Sequence, residues 1–430
     1  MVWYAGLYAG TTALLKLVGF ALFMWLAYTL PIEDYATFGL LYALQTALAS
    51  FALAGICEAV VGLLKNYQAP VQRRQLFSAA NTAFMLMALP ATAIVLFVFF
   101  AFANSSAGGL PLLSYVLTTG ILAAYASLQA QIIRLDELHL ASLGFSFLAP
   151  LAGLIGGGAV FLIEETVQSF FFGSAIGLSL AMLGLWACRI GIYGFVSRID
   201  VVRPILLRIA PFMAIAFLGW LSGYGNNYFV KVLFNSEEIA KFTFVFTLSS
   251  IMQLIASSLN QVWSPRFYRI VHERPFDQVE KKNRLFFGVQ GLALGLAAGI
   301  VIALYPAAID LLGGKLIAYR AMNIELLLLF ASYVLLSPWW HCQNYFLVHG
   351  KGEQLMKIML TTSVAGIVIW VLLMWLLGPV GIYIGFMAQM LLRTLAIVLV
   401  AKRYWPVTIA WEGVAAGLLL TVGGFLISRV

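Results

Sequence analysis

The chain has little charge for its length. Only 10% of its 430 residues are Asp, Glu, Lys or Arg, whereas 63% are hydrophobic; soluble domains average about 25% charged residues. So few polar side chains cannot cover a soluble globule, which excludes a soluble enzyme, a disordered chain, a coiled coil and a nucleic-acid-binding module. An outer-membrane barrel is disfavoured because its strands alternate apolar and polar residues. We therefore predict an all-α polytopic membrane protein, built from continuous apolar runs of spanning length.

Cysteine is also scarce. The three cysteines, Cys57, Cys188 and Cys342, lie in or beside apolar runs and form no CxxC pair. An odd number without metal-ligand spacing argues against a disulfide framework or a zinc site. We expect no metal and no cofactor. The N-terminus lacks a basic stretch and carries Lys16 within its first apolar run, so we expect that segment to be a retained helix rather than a signal peptide.

Thirteen apolar segments are long enough to span a bilayer as helices, which takes about 20 residues each. They lie at 5–30, 36–64, 77–102, 112–133, 138–163, 168–188, 205–230, 242–264, 285–308, 321–348, 355–377, 380–401 and 408–428. The last segment contains Glu412 and ends the chain. The sequence is therefore compatible with either twelve or thirteen spans.

The 25 basic residues orient these spans. Eighteen fall in one set of loops, from Lys65 to Arg403, and five fall on the other side. Because cytoplasmic loops are enriched in Lys and Arg, the N-terminus is predicted to be cytoplasmic. The longest connection is predicted around 265–284, on the cytoplasmic side. No outer loop is long enough to fold as a domain.

The sequence contains a weak internal repeat at an offset of 204 residues. The turn PIEDYATF at 31–38 matches NSEEIAKF at 235–242, and each turn joins two spans on the outer side. A repeat of six helices gives two halves of the same orientation, as in transporters built from parallel repeats. We predict a six-helix bundle at 1–200, a second at 201–403 and an extra C-terminal helix at 404–430.

Among the ionisable side chains inside predicted spans, where charge is expensive and usually functional, three are singled out as candidates. Lys16 is central in the first span, and its alternative role is an ion pair with Glu58. Arg393 lies in the twelfth span and could instead snorkel to the cytoplasmic face. Glu58 is a candidate for ion coupling or a residue near the interface. The excess of positive charge suits an anionic substrate such as a pyrophosphate.

Polar residues near the seventh and eighth spans are candidates for binding sugar hydroxyls. Their alternative role is interhelical hydrogen bonding. The candidates are Tyr224, Asn226, Asn227, Tyr228, Gln253 and Asn260. His341, in the tenth span, is a further candidate for ion coupling.

Two segments resemble bacterial lipid-linked oligosaccharide flippases, the O-antigen transporters of the multidrug/oligosaccharidyl-lipid/polysaccharide exporter superfamily. One is the first helix pair, with Lys16, then Glu33 and Tyr35 in a turn before Phe38 and Gly39. The other is GWLSGYGNNYFVKVLFNSEEIAKFTFVFTLSSIMQLIASSLNQVWSPRFY at 219–268. It departs from the family where many members carry an acidic-basic pair, since this chain has two asparagines there.

The resemblance implies two six-helix bundles around a cationic central cavity. It further implies alternating access that moves undecaprenyl-pyrophosphate-linked sugar from the cytoplasmic to the periplasmic leaflet. Lys16 and Arg393 would attract the pyrophosphate, and polysaccharide-assembly proteins would be partners. Proton or sodium coupling stays open. The alternatives are an ion-coupled multidrug exporter of the same superfamily, which would favour an acidic cavity, and a membrane-embedded sugar polymerase, which would need a larger outer loop.

Overall fold

The computed structural model describes residues 2–64, 66–67, 69–102, 109–188, 193–196 and 198–429. Two cations of the predicted cytoplasmic set, Lys65 and Arg189, lie outside the described residues. All regular secondary structure in the described part is helical. The chain divides into two compact units, Met1–Tyr228 and Phe229–Val430.

The first unit contains nine helices within its described residues. They are α1 (Val2–Thr29), α2 (Ile32–Leu53), α3 (Ile56–Leu64), α4 (Pro70–Phe102), α5 (Gly109–Leu135), α6 (His139–Leu143), α7 (Ala149–Phe161), α8 (Val167–Ala187) and α9 (Ile199–Leu221). A π-helical turn, Gly144–Leu148, joins α6 to α7. Helix α9 is bent by 48° between Ile209 and Phe212.

The second unit begins within helix α10, which starts just before the boundary between the two units. Its helices are α10 (Asn226–Leu233), α11 (Ser236–Glu273), α12 (Phe276–Leu312), α13 (Asn323–Leu335), α14 (Ser337–Val348), α15 (Gly352–Leu377), α16 (Val380–Ala401) and α17 (Trp411–Ile427). A 3₁₀ turn, Gly314–Tyr319, precedes α13. Both turns of the sequence repeat begin a helix with acids in its first turn, at Glu33 in α2 and at Glu237 in α11.

Eleven helical stretches in the described residues are long and apolar enough to cross a membrane, counting α2–α3, α6–α7 and α13–α14 as one stretch each. The bent helix α9 brings the number to twelve. Each of the first twelve predicted spans falls on one of these eleven stretches or on the bent helix α9. The thirteenth falls on α17, which has only 17 residues. The all-α polytopic fold class is confirmed.

Helix contacts in the first unit depend on small residues. Helices α7 and α8 approach so closely that a Cβ atom at Gly156 would overlap the carbonyl oxygen of Gly173, and one at Gly177 would overlap that of Ala152. Such close approach is typical of membrane helices, where packing and hydrogen bonding replace the hydrophobic driving force.

In the second unit, α17 likewise packs closely against α12 at glycine positions. Gly291 faces Gly413, and Gly299 faces Leu420 farther along both helices. Because both positions advance together, α17 runs parallel to α12 along its apolar length. The two helices therefore start at the same end of the unit.

The connection predicted around 265–284 is helical, and that expectation is wrong. Helix α11 continues to Glu273 and α12 begins at Phe276, which leaves two residues between them. Both extensions keep one buried face, with Phe267 on α11 and Val279 on α12, while most of their charges are exposed. Sustained helical periodicity here outweighs the polar composition that suggested a loop.

Candidate functional site

The polar cluster predicted after the seventh span lies at the break between α9 and α10. A turn over 222–225 separates the two helices. Tyr224 lies at this break, and its ring packs edge-on against Tyr42 of α2, with the centroids 5.0 Å apart. The break therefore directs the polar residues that follow toward α2.

Successive backbone carbonyls of α2 accept hydrogen bonds from this region. Asn227 Nδ2 donates to Gly39 O at 3.2 Å, and the Tyr228 hydroxyl donates to Leu40 O at 2.9 Å. Both side chains are buried. These bonds are the interhelical type that we named as the alternative to sugar binding, and a direct role in binding sugar stays a prediction.

Asn226 differs from its neighbours. Its side chain is fully buried, yet neither Oδ1 nor Nδ2 has a hydrogen-bond partner among the described residues. A buried amide without a partner is destabilising by about 1–3 kcal/mol. Of the asparagine pair, Asn226 is thus the residue with unused hydrogen-bonding capacity.

The two charged candidates of the first unit are both exposed. Lys16 lies near the centre of α1, between the exposed Leu14 and Leu17, and Glu58 lies on α3. Neither forms an ion pair with any described residue, so the suggested Lys16–Glu58 bridge is not present. An unpaired ammonium at mid-helix is expensive in hydrocarbon and needs water or an anion beside it.

The first unit also contains a cavity of about 290 Å³ between α2, α4 and α9. Nine residues line it, all of them apolar, including Phe51, Pro90 and Phe217. None of the predicted site residues is among them. A lining without hydrogen-bonding side chains cannot bind sugar hydroxyls or phosphate.

In the second unit, Arg393 projects from α16 toward α15 and α14. Its Nη2 donates to Ser363 Oγ at 3.0 Å, and the guanidinium carbon lies 5.7 Å from the ring centroid of Trp339. Its Nε is buried without an acceptor. No carboxylate pairs with Arg393 among the described residues, so its positive charge is uncompensated.

The other candidates on α11 occupy different environments. Gln253 is exposed. Asn260 is half-buried, and its Oδ1 accepts from Ser264 Oγ at 3.2 Å and from Asn344 Nδ2 at 3.3 Å. The Asn260 contact joins α11 to α14.

His341 is fully buried on α14 and faces a carboxylate that the sequence analysis did not single out. Its Nε2 lies 3.1 and 3.2 Å from the two carboxylate oxygens of Glu280, on α12. Tyr345 OH donates to Glu280 Oε2 at 2.6 Å, and Thr408 Oγ1 donates to Oε1 at 3.1 Å. Asn283 Nδ2 donates to the carbonyl of His341 at 3.3 Å.

Sequence reasoning missed Glu280 because it lay in the predicted loop. A usable signal was present: Glu280, Asn283, Phe287 and Gln290 recur at spacings of three and four residues. That spacing places them on one helix face, and all four are buried. The described residues contain no group of three His, Cys, Asp or Glu side chains that could hold a metal ion.

Comparison with known proteins connects this fold to transporters. No family model and no curated protein matches the sequence. Solved structures do match: "Lipid II flippase MurJ, inward closed conformation" aligns with a TM-score of 0.74 and 13% identity, over 98% of this chain and 97% of that chain. An inward-facing multidrug resistance MATE family transporter of the MOP superfamily aligns with a TM-score of 0.70 and 14% identity, over 90% of this chain and 94% of that one.

A third match is the eukaryotic MATE transporter AtDTX14, with a TM-score of 0.56 and 12% identity, over 96% of this chain and 95% of that chain. Identities this low show the fold and leave the substrate undetermined. The protein thus has a fold similar to those of MATE transporters and of MurJ.

Proposed function

We propose that this chain is a flippase for undecaprenyl-pyrophosphate-linked oligosaccharide in the bacterial cytoplasmic membrane. It moves the lipid-linked sugar from the cytoplasmic to the periplasmic leaflet by alternating access, for surface polysaccharide assembly. The fold supports transport, since flippases and drug exporters both use it. The charge of the embedded residues favours an anionic substrate.

Arg393 carries this proposal. A guanidinium within a membrane-spanning helix is energetically unfavourable unless an anion or water compensates its charge. The contacts of Arg393 are a hydrogen bond to the Ser363 hydroxyl and the face of the Trp339 ring, and neither carries a negative charge. Its Nε has no acceptor among the described residues. Arginine binds phosphate oxygens through paired N–H donors. A pyrophosphate would supply both the missing charge and the missing acceptor.

Lys16 supports the same substrate class from the first unit. Its ammonium is exposed at mid-helix and unpaired among the described residues. A lysine attracts phosphate as a point charge without fixed geometry. We assign Lys16 to capture of the anionic head group and Arg393 to its oriented binding.

The remaining predicted residues take secondary roles in this proposal. Asn226, Gln253 and Asn260 are assigned to sugar contacts, together with the tyrosines of the α9–α10 break. Glu58 and His341 are assigned to coupling with a proton or sodium gradient. The bias of basic residues supports a cytoplasmic N-terminus.

Substitution in cells tests the proposal. Removing either cation, by Arg393→Ala or Lys16→Ala, should abolish surface polysaccharide while the protein stays at its normal level in the membrane. Arg393→Lys should retain partial function because it keeps the charge and loses the paired donors. The matched control is Arg320→Ala, since Arg320 is exposed and paired with Asp310; it should leave polysaccharide unchanged. Normal polysaccharide in both cation variants would contradict the proposal.

The second candidate is an ion-coupled multidrug exporter. The observation in its favour is Glu58, an exposed carboxylate in a membrane-crossing segment without an ion pair among the described residues. A carboxylate of this kind would suit a cationic drug. Extrusion of a cationic dye that depends on Glu58, with polysaccharide unaffected by loss of the chain, would favour this candidate.

A further inference from the structure

The apolar cavity of the first unit lies midway along the membrane-spanning segments that enclose it. Its lining comes from α2, α4 and α9. Phe51, Pro90 and Phe217, one from each helix, lie at the centres of their predicted spans. At this depth a membrane consists of hydrocarbon. Lipid chains are thus the molecules that surround this part of the unit.

Interruptions in all three helices frame the cavity. Helix α2 ends beside it at Leu53, and Gly55 has a φ of 72° before α3 starts. A Cβ atom at Gly55 would overlap the side chain of Phe212, at the bend of α9. Helix α4 carries Pro90 within its length, and a proline removes a backbone hydrogen bond of the helix. The cavity therefore lies where the backbones of three helices leave a regular path.

The cavity opens between α4 and α9. Its lining residues Pro90 and Ile94 on α4 are exposed, and so is Phe217 on α9. Phe51 on α2 and Ala91 on α4 are buried. Helix α2 thus forms the floor of the cavity, and α4 and α9 form its rim. Because this rim is apolar, a hydrocarbon chain can enter between the two helices.

The volume of the cavity fits a segment of such a chain. At about 290 Å³ it is roughly twice as large as an apolar cavity that binds benzene. An empty void leaves the atoms of its lining without contact partners, and a chain that fills it restores those contacts. The apolar lining disfavours a charged or hydroxylated group, which would lose its hydrogen bonds to water there.

The cavity continues along α9 to the polar break between α9 and α10. The ring centroid of Phe217 lies 6.3 Å from that of Trp220, which lies 6.2 Å from that of Tyr228. Tyr224 and Asn226 lie at the same break. A molecule that covers this distance meets apolar side chains at one end and hydrogen-bonding groups at the other. The arrangement suits an amphiphile whose chain joins directly to a polar head.

We propose that the cavity binds the isoprenoid chain of the transported lipid, at the isoprene units next to the pyrophosphate. The inference rests on the proposed flippase function and adds to it a site that recognises the chain rather than the head. The occupant is the chain of the substrate and not a phospholipid acyl chain, because the adjacent break presents hydrogen-bonding groups and aromatic rings to a sugar-bearing head.

Photolabelling of the full-length protein in vesicles of phosphatidylethanolamine and phosphatidylglycerol tests this site. One probe is a polyprenyl pyrophosphate with a diazirine on its first isoprene units. The other is a phosphatidylglycerol with a diazirine on an acyl chain, at the same mole fraction. Labelling of the exposed apolar face of α12 around Leu296 gives the nonspecific level. The polyprenyl probe should label the α4 peptide containing Met87 and Ile94 above this level, and the phospholipid probe should stay at it.

A substitution at the rim gives the second measurement. Ala214 is an exposed lining residue on α9, so Ala214→Trp narrows the cavity without entering the packed interior. Polyprenyl labelling of the α4 peptide should fall by about tenfold or more, because each methylene kept out of an apolar site weakens binding roughly fourfold. The matched control is Ala93→Trp, since Ala93 is exposed on α4 and does not line the cavity. It should label as the wild type does.

Equal labelling of the α4 peptide by the two probes would overturn the proposal, and so would wild-type labelling of a folded Ala214→Trp variant. If that variant does not fold, the two probes on the wild type decide alone. Leaflet transfer of the sugar-bearing lipid, measured in the same vesicles, separates this site from the proposed function. Transfer with the α4 peptide at the nonspecific level would overturn the chain site alone. Absence of both transfer and specific labelling would overturn the two together.

Discussion

Individual residues in this protein separate into those whose polar groups are satisfied by the fold and those whose groups are not. Asn227 and Tyr228 donate to carbonyls of α2. Asn226 has no partner among the described residues, and Arg393 has no carboxylate among them. Sequence alone cannot make this separation, because hydrogen-bond partners come from helices far apart in the chain. The unsatisfied groups are the better candidates for substrate contact.

A tyrosine substitution distinguishes the structural from the functional role at the α9–α10 break. Tyr228→Phe removes the hydroxyl that donates to Leu40 O at 2.9 Å. We expect it to lower the free energy of unfolding by about 0.5–1.5 kcal/mol, measured by thermal unfolding in detergent. Tyr28→Phe, at an exposed position on α1, should leave stability unchanged. A Tyr228→Phe variant of normal stability that has lost transport would instead support direct sugar contact.

At the scale of helices, close glycine contacts fix which pairs pack together. On α8, Gly173 and Gly177 sit against α7, whereas Gly184 faces open space. Sequence predicts that glycines in membrane helices mark interfaces, but it does not tell which glycines on one helix do so. That assignment requires the partner helix.

Two alanine substitutions on neighbouring helices test this packing. Gly156→Ala would place a methyl group on the Gly173 carbonyl oxygen, and we expect about 1–3 kcal/mol of destabilisation from overpacking. Gly184→Ala has no atom within 4 Å of the new Cβ and should be neutral or slightly stabilising. Equal melting temperatures for the two variants would show that the α7–α8 contact is looser than described.

The register of α17 on α12 also bears on the number of crossings. Helix α17 is about 26 Å long, slightly short of a 30 Å hydrocarbon core, and it follows the apolar length of α12 in parallel. We therefore expect it to cross the membrane as a thirteenth span and to end on the outer side. Alkaline phosphatase fused after Val430 should be active, and a green fluorescent protein fused there should stay dark. The opposite pattern would indicate an interfacial helix and twelve spans.

For the whole molecule, the hydropathy of the sequence predicted the helical spans. It did not predict which side chains contact the candidate site residues. Helical spans are specified by local apolar runs, so all twelve confirmed spans were visible in the sequence. The helical hairpin around Arg274 was missed because its charges suggested a loop, and Glu280 was missed with it. Lys16 and Arg393 were visible as charges in apolar runs. Whether a partner neutralises each of them depends on tertiary contacts, which only the structure supplies.

The proposed function is the transfer of an anionic lipid-linked oligosaccharide between the two leaflets of the membrane. The most direct measurement is reconstitution of the purified protein into liposomes with labelled undecaprenyl-pyrophosphate-linked sugar in one leaflet, under an imposed ion gradient. We predict that the label becomes accessible in the opposite leaflet, and that Arg393→Ala slows this transfer while Arg320→Ala does not. Retention of all label in its original leaflet by folded wild-type protein would contradict the proposed flippase function.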